Sequence, residues 1–472
     1  MFQAAFLAVI VAIAATGVQA DKRIVCYFGS WAVYSPGLGN FQISDINPHL
    51  CTHMIYSFTG TNTNGDVLVS DPWADLPDDG GMNGYGKFTE LRRSSPGTKA
   101  MISSGGWDEG SYKYSQIVSN PSTRARFVQN VVNFLKRFNF DGFDLDWEYP
   151  NQRGGQPSDK ENYVALLREL REEFDKYGYI LSVAVAAGED SASQSYLVWQ
   201  VSQYVHFINL MTYDFNGSWS NYAGLNAPMY ASSGSQDPLN NVNAAVLYWL
   251  QHGAPGDKIN LGIPAYGRSF TLADPNNNGV GAPTTGPGAA GPYTEGAGLL
   301  GYNEICENLN QGGWTVIRDP QQRVPYAFKS NQWVGYDDPI SVAEKANYIN
   351  SMLLGGAMVW SIDTDDFRGT CGSRYPLLTA LNNVLRGGAS AFESASPAPT
   401  KLTRKLPRSV SSSKSICESE GYVANPQNCK TFYYCQKIYG TLYRQFTFIC
   451  PEELVFDKSK NMCNYKYMVE AC

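Results

Sequence analysis

The sequence predicts an α/β protein: a (β/α)8 TIM barrel with a small α+β insertion domain, followed by a small disulfide-rich β module. Three features carry this expectation. Short apolar runs alternate with amphipathic segments between residues 24 and 362. One stretch, about 267–341, breaks that alternation with Gly, Pro and Asn. Six of the ten cysteines crowd the last 56 residues.

Residues 1–20 read MFQAAFLAVIVAIAATGVQA. The apolar run from Phe6 to Val18 is too short to span a bilayer, and Val18-Gln19-Ala20 is a small-residue cleavage site. This is the pattern of a signal peptide, without the usual positively charged start; the alternative is an N-terminal membrane anchor. The mature chain is expected to begin at Asp21 and to be secreted, extracellular. No later stretch reaches about 18 apolar residues, so no membrane association is expected.

Eight strands are expected over residues 21–386: Ile24–Phe28, His53–Phe58, Ala100–Ser104, Gly142–Trp147, Ile180–Ala186, Phe207–Tyr213, Ile259–Ile263 and Ala357–Ile362. RARFVQNVVNFLKRF, ENYVALLRELREEFDKY and NNVNAAVLYWLQHG precede the fourth, fifth and seventh. Their apolar residues recur at helical spacing. From Gly267 to Ser341 no clean helix is visible, but TVIRD, VPYAFK and QWVGYD read as short strands. That stretch is read as an insertion between the seventh strand and its helix, walling the top face.

Composition narrows the function. Charged residues are 17%, aromatics 13%, and net charge is −7. An acidic chain is a poor nucleic-acid binder, because phosphate must be met by a basic face. There is no Cys-x-x-Cys pair, no His-x-x-x-His and no Gly-rich phosphate loop, so no metal or cofactor is expected.

Barrel chemistry sits where strands end. Those ends carry Trp31, Gly105-Gly106-Trp107, Asp146-Trp147-Glu148-Tyr149, Met211-Thr212-Tyr213-Asp214, Tyr266-Gly267-Arg268 and Trp360. Aromatic faces with few charges suit a neutral, flat-ringed ligand such as a sugar polymer. The fourth strand is the most informative. Residues two apart share a face, so Asp144, Asp146 and Glu148 point one way and Phe143, Leu145 and Trp147 the other. Three acids inside a barrel cost folding energy, and their repulsion should raise at least one pKa toward neutrality. Glu148, nearest the mouth, is the natural general acid. A structural acid ladder or a cation site is the alternative.

The front part resembles the family-18 glycoside hydrolases of the chitinase type. DGFDLDWEYP matches their DxxDxDxE signature, and SSGGW, MTYDF, YGRSF and MVWSID resemble the companion motifs in order, from Lys22 to Arg386. The resemblance implies a chitinase working without a carboxylate nucleophile: the substrate's own N-acetyl oxygen attacks the anomeric carbon. Glu148 would protonate the glycosidic oxygen, Asp146 would hold the acetamido group, and Asp144 would pass charge along the row. Tyr213 would donate to the acetamido group, and Asp214 would contact the same sugar. Trp360 would floor that ring, while Trp31, Trp107 and Trp219 would stack on flanking sugars. Gly105, Gly106, Tyr149, Met211, Thr212, Tyr266 and Arg268 would complete the cleft. The family's animal members usually read Gly-Gly-Trp-Asn; here Asp108 takes the last place and would alter binding beside Trp107 or the pH dependence. The resemblance also implies the disulfides Cys26–Cys51 and Cys306–Cys371.

Residues 387–416 are rich in Ser, Pro and Lys/Arg with a net charge of +4, a linker composition. From Cys417 to Cys472 the spacing is C-x11-C-x5-C-x14-C-x12-C-x8-C. Six cysteines allow 15 pairings, and spacing alone does not choose among them. The pattern is similar to the peritrophin-A-type (type-2) chitin-binding domain, which implies Cys417–Cys435, Cys429–Cys472 and Cys450–Cys463. Exposed aromatics among Phe432, Tyr433, Tyr434, Tyr443 and Phe446 would form its sugar platform, with some of them in the small core. The expected partners are therefore chitin and chitooligosaccharides, and a monomer is expected. The alternative function is a catalytically weak chitin-binding lectin, a class that typically lacks the acid at the position of Glu148.

Overall fold

A computed structural model of the chain describes residues 22–235, 237–387 and, with short gaps, 417–469. The expected signal peptide and residues 388–416 lie outside the described residues. The chain falls into two compact units, Met1–Phe392 and Glu393–Cys472.

The first unit is a closed barrel of eight parallel strands. They are β1 (Arg23–Gly29), β2 (His53–Thr61), β3 (Lys99–Gly105), β4 (Gly142–Asp146), β5 (Ile180–Ala186), β6 (Phe207–Met211), β7 (Ile259–Pro264) and β8 (Gly356–Trp360). Each pairs with the next, β8 pairs with β1, and the ring closes. Both faces of every strand are covered, which is why the runs are almost continuously apolar. The outer helices follow from local signals. In Pro121–Phe138, the Asn120 side chain accepts from the Ser122 amide, Pro121 starts the first turn, and Asn139 ends the helix in the left-handed region at φ 60°. Its buried stripe of Phe127, Val131, Val132 and Leu135 packs into the main core, each side chain contributing roughly 1.5–3 kcal/mol.

Three expected strands end early: β4 stops at Asp146, one residue short of Trp147, and β6 and β8 are the other two. β6 stops at Met211, where Thr212 leaves the sheet and Asp214 turns left-handed at φ 58°. β8 stops at Trp360, after which the Ile362 amide donates to the Tyr27 carbonyl.

The insertion follows β7. Its central strand, Tyr266–Leu272, pairs with Thr284–Pro287, Leu299–Gly301 and Gln332–Gly335, and the sheet continues through Pro325–Lys329 to Thr315–Arg318. It contains a helix, Tyr302–Asn310, where no clean helix was expected. Nine residues are too few to display a period, and tertiary contacts fix this helix instead. The Glu304 carboxylate accepts from the amides of Gly301, Tyr293 and Thr294 at 2.6–2.9 Å. Cys306 on this helix is disulfide-bonded to Cys371 between β8 and the last helix, and Cys26 to Cys51 joins β1 to the approach to β2.

The second unit holds a three-stranded antiparallel sheet, Gly421–Ala424, Thr431–Tyr439 and Leu442–Ile449, and a hairpin, Leu454–Asp457 with Met462–Tyr465. Cys417 is bonded to Cys435. Cys429 and Cys450 are disulfide-bonded, but the partners expected for them, Cys472 and Cys463, have side chains outside the described residues. Two of the aromatics considered for a sugar platform belong to the small core. Tyr433 is buried and accepts from Asn425, and Phe432 stacks on Phe456 at 4.3 Å. The side chains of Tyr434, Tyr443 and Phe446 lie outside the described residues.

Candidate active site

β4 aims its acids into the barrel and its apolar residues, Phe143 and Leu145, into the shell of helices. Trp147 continues that outward face, stacked on Tyr114 and donating to Ser111 Oγ at 2.9 Å. The three acids then meet three different environments.

Asp144, deepest, is wholly buried and saturated. Tyr27 Oη and Ser103 Oγ donate to Oδ2 at 2.8 and 2.9 Å, and Ser182 Oγ and Asn209 Nδ2 to Oδ1 at 2.6 and 3.3 Å. Burial raises its pKa and these donors pull it back. Asp146, one step nearer the mouth, is buried with Oδ1 lacking any hydrogen-bond partner among the described residues. Its pKa lies well above the carboxylate range, chiefly through burial, then through repulsion from Glu148 and Asp144. Glu148 sits at the mouth with its pKa pushed up to about 7. Burial is again the main cause; Asp214 and Asp108 add to it, while Tyr149 and Arg153 oppose it. Desolvation, rather than the mutual repulsion read from the sequence, is thus the leading effect on all three acids.

The glycines beside the acids are there for clearance. A Cβ on Gly105 (φ 122°) would lie 1.9 Å from the Asp146 carbonyl oxygen, and one on Gly106 (φ 86°) 2.6 Å from the Phe58 ring. The Gly106 amide donates to that same Asp146 carbonyl at 2.8 Å. Backbone strain and contact both demand Gly here, so Gly105 and Gly106 shape the site. Thr212 is fully buried and donates to the Gly262 carbonyl at 2.8 Å, where its side chain supports the turn after β6.

Across the mouth, Tyr213 donates to Met358 Sδ at 3.6 Å and lies 6.0 Å, ring to ring, from Tyr266. Burial raises its pKa well above the usual phenol value, so its hydroxyl keeps its proton. Asp214 Oδ1 accepts from Tyr266 Oη and Arg268 Nε, both at 2.7 Å, and Arg268 lies over the Trp219 ring. The insertion is thereby tied to the barrel mouth. Met211 and Tyr149 are partly buried beside these groups.

Trp360, Trp31 and Phe58 form a three-ring cluster: Phe58 stacks on Trp360 at 5.7 Å and on Trp31 at 6.0 Å, and the two Trp rings lie 6.2 Å apart. Phe58 belongs to no motif, and nothing in the sequence singles it out. Trp31, Trp107 and Trp219 are 48%, 59% and 62% exposed, too open to be core filler. Asp108 is exposed beside Trp107. Tyr34, one turn beyond Trp31, stacks on the exposed Trp73 at 5.9 Å and lengthens the aromatic row. Asn216, the one glycosylation acceptor sequence, donates its side-chain amide to the Leu225 carbonyl at 2.9 Å. Among the described residues, Cys306, Asp366 and Cys371 gather as metal-binding types do, but both cysteines are spent in one disulfide.

Known proteins place this geometry. Residues 23–365 match the family described as "Glycosyl hydrolases family 18", and residues 417–472 match "Chitin binding Peritrophin-A domain". "Endochitinase" of Manduca sexta is 45% identical over 383 residues, 78% of this chain and 68% of that protein. "Probable chitinase 2" of Drosophila melanogaster is 41% identical over 426 residues, 84% of this chain and 87% of that one. The crystal structure of Ostrinia furnacalis Group IV chitinase in complex with allosamidin superposes with a TM-score of 0.76 at 46% identity, covering 78% of this chain and 100% of that one. The chain belongs to family 18 of the glycosyl hydrolases, as a glycosidase of the chitinase type that carries a peritrophin-A chitin-binding domain.

Proposed function

We propose that the protein is a secreted, monomeric chitinase that hydrolyses β-1,4 linkages between N-acetylglucosamine units of chitin and chitooligosaccharides with retention of configuration. The observation that carries this reading is the graded row of acids along β4 and just beyond it, ending in a carboxyl that burial holds protonated up to about pH 7. A general acid works best with a pKa near the working pH. In the first step the Glu148 proton goes to the glycosidic oxygen as that bond to the anomeric carbon breaks. The acetamido oxygen of the same sugar forms the new bond and gives a cyclic oxazolinium ion. In the second step the Glu148 carboxylate takes a proton from water, which attacks the anomeric carbon and reopens the ring.

Asp146 suits the positioning role. Its unpartnered Oδ1 can accept the acetamido N–H, which orients the acetamido oxygen and stabilises the positive charge that develops. Tyr213, held protonated, can donate to the acetamido oxygen. Trp360, with Phe58 and Trp31 against it, offers an apolar floor, and Trp107 and Trp219 offer faces for neighbouring sugars. The stretch 1–20 supports secretion. Residues 417–472 are read as an anchor to solid chitin, and 387–416 as its tether.

The test is reducing-sugar release from a soluble chitin oligomer by the wild type and by Glu148→Gln. Loss of general acid catalysis should cost about 10²–10⁴-fold in turnover, with oligomer binding retained. Glu148→Gln keeping more than roughly a tenth of wild-type turnover would overturn the acid assignment. A wild type that binds but releases no sugar would leave the lectin reading.

A further inference from the structure

Arg153 lies on the loop that leaves β4, five residues beyond Glu148, and no signature motif includes it. Its Nη1 donates to the carbonyl oxygens of Trp107 at 2.7 Å and Glu148 at 3.0 Å. Its guanidinium carbon lies 3.5 Å from the centre of the Trp107 ring. One planar group therefore bridges the ends of β3 and β4 and covers one face of an indole whose remainder is open to solvent.

The loop is built to hold Arg153 there. Asn151 donates to the Gln194 carbonyl at 3.2 Å, and Gln152 Nε2 to Ser195 Oγ at 2.8 Å. The Gln156 amide donates to Asp159 Oδ2 at 2.7 Å. Asn151 and Arg153 both adopt left-handed backbone, at φ 65° and 50°, which non-glycine residues keep only where surrounding contacts fix it. The side chain is exposed, so the barrel core does not require it.

We propose that Arg153 is a positioning residue for the reaction: it fixes the Trp107 indole as a sugar-binding face and places a cation beside the proposed acid, opposite Asp108. The proposal rests on the reading of Glu148 as the acid. The groups facing Glu148 are otherwise acids and phenols. Asp146 comes from the end of β4, Tyr149 from the next residue, Asp108 from beyond β3, Tyr213 and Asp214 from beyond β6, and Tyr196 from beyond β5. Arg153 favours the Glu148 carboxylate while Asp108 and Asp214 favour the protonated acid. Arg153 and Asp108 thus adjust, in opposite directions, an upper pH limit of activity that burial mainly sets, and Trp107 joins Arg153 to substrate binding.

The experiment is the pH profile of kcat/KM on a soluble chitin oligomer for the full chain and its Arg153→Gln, Arg153→Lys and Asp108→Asn variants. Removing the cation lets Glu148 stay protonated to higher pH, so the alkaline limb of Arg153→Gln should move up by about half a unit or more, and that of Asp108→Asn down. Arg153→Lys should restore the limb but not the binding, because an ammonium cannot stack flat and bridge two carbonyls. Oligomer affinity, measured by calorimetry in a Glu148→Gln background, should fall about two- to fivefold on adding Arg153→Gln. An alkaline limb that stays within about 0.2 unit of wild type in Arg153→Gln, beside a Glu148→Gln variant that is inactive, overturns this proposal and leaves the acid assignment standing. An active Glu148→Gln removes the acid assignment itself, and unchanged affinity then removes the Trp107 role as well.

Discussion

Glu148→Gln should stabilise the protein above neutral pH while it lowers turnover about 10²–10⁴-fold. Burial raises the folded-state pKa of Glu148 from 4.5 to about 7. Between those values the folded chain keeps a proton that the unfolded chain has released, so stability falls as pH rises through the window. At about 1.4 kcal/mol per pH unit, a rise from 4.5 to about 7 corresponds to a loss of about 3 kcal/mol, complete above pH 7 and absent below 4.5. Gln carries no charge to desolvate and escapes this loss, although its amide must still find partners; a net gain of about 1–3 kcal/mol is expected. Asp363 and Asp365 are also raised, to about 6 and 7, but they are common to both proteins and cancel in the difference, whereas Asp146 loses the repulsion of Glu148 in the variant and moves the difference in the same direction. Differential scanning calorimetry at pH 4.5, 6 and 8 and constant ionic strength measures it on the barrel transition. The two proteins should melt together at pH 4.5, and the variant should melt a few degrees higher at pH 8, at roughly 2 °C per kcal/mol. A difference that is the same at both pH values would mean that burial does not hold this carboxyl protonated.

Two further outcomes follow from the proposed mechanism and from the domain reading. Proton NMR of the earliest products should show the β anomer, because two displacements return the starting configuration; an α product at first appearance would exclude the substrate-assisted route. Truncation after Arg386 should leave turnover of a soluble oligomer within about twofold while lowering activity on crystalline chitin, most of all at low enzyme concentration, because the tail raises the local concentration of the barrel. Equal losses on both substrates would mean that the tail supports the barrel instead.

The parts of the site legible in the sequence are those that a strict local period governs. On β4 the two-residue alternation by itself assigns Asp144, Asp146 and Glu148 to one face. The two-faced apolar strands likewise announce a covered parallel sheet. Phe58 escaped because the pairing of β2 with β3 shifts register between Tyr56 and Thr59, and a counted alternation cannot anticipate that irregularity. Arg153 escaped because an exposed Arg in a Gly-rich loop is ordinary in sequence and acquires meaning only when the loop folds back on Trp107. The Asp214–Arg268 ion pair joins residues from two motifs, and only the closure of the insertion sheet over β6 brings them to 2.7 Å. The nine-residue helix Tyr302–Asn310 was hidden because its start is fixed by carboxylate-to-amide bonds rather than by periodicity.

The contrast between Asp144 and Asp146 bears directly on the choice between enzyme and lectin. Four donors surround Asp144 and oppose the effect of its burial, so it can serve as a fixed part of the barrel. Asp146 is as deeply enclosed, yet its Oδ1 meets no donor among the described residues, and Glu148 and Asp144 both repel its charge. A buried oxygen left in that state costs about 1–3 kcal/mol, and a single Asp146→Asn change would remove both the repulsion and the need for a proton. A mouth that only had to bind sugars could rely on Trp31, Trp107, Trp219 and Trp360 and would gain nothing from keeping this arrangement. It is useful to a mouth that must first hold a proton and then receive an N–H and a positive charge as the acetamido oxygen closes on the anomeric carbon. On the proposed mechanism, the partners that Asp146 Oδ1 lacks among the described residues would be supplied by the transition state, as is expected of a catalytic group.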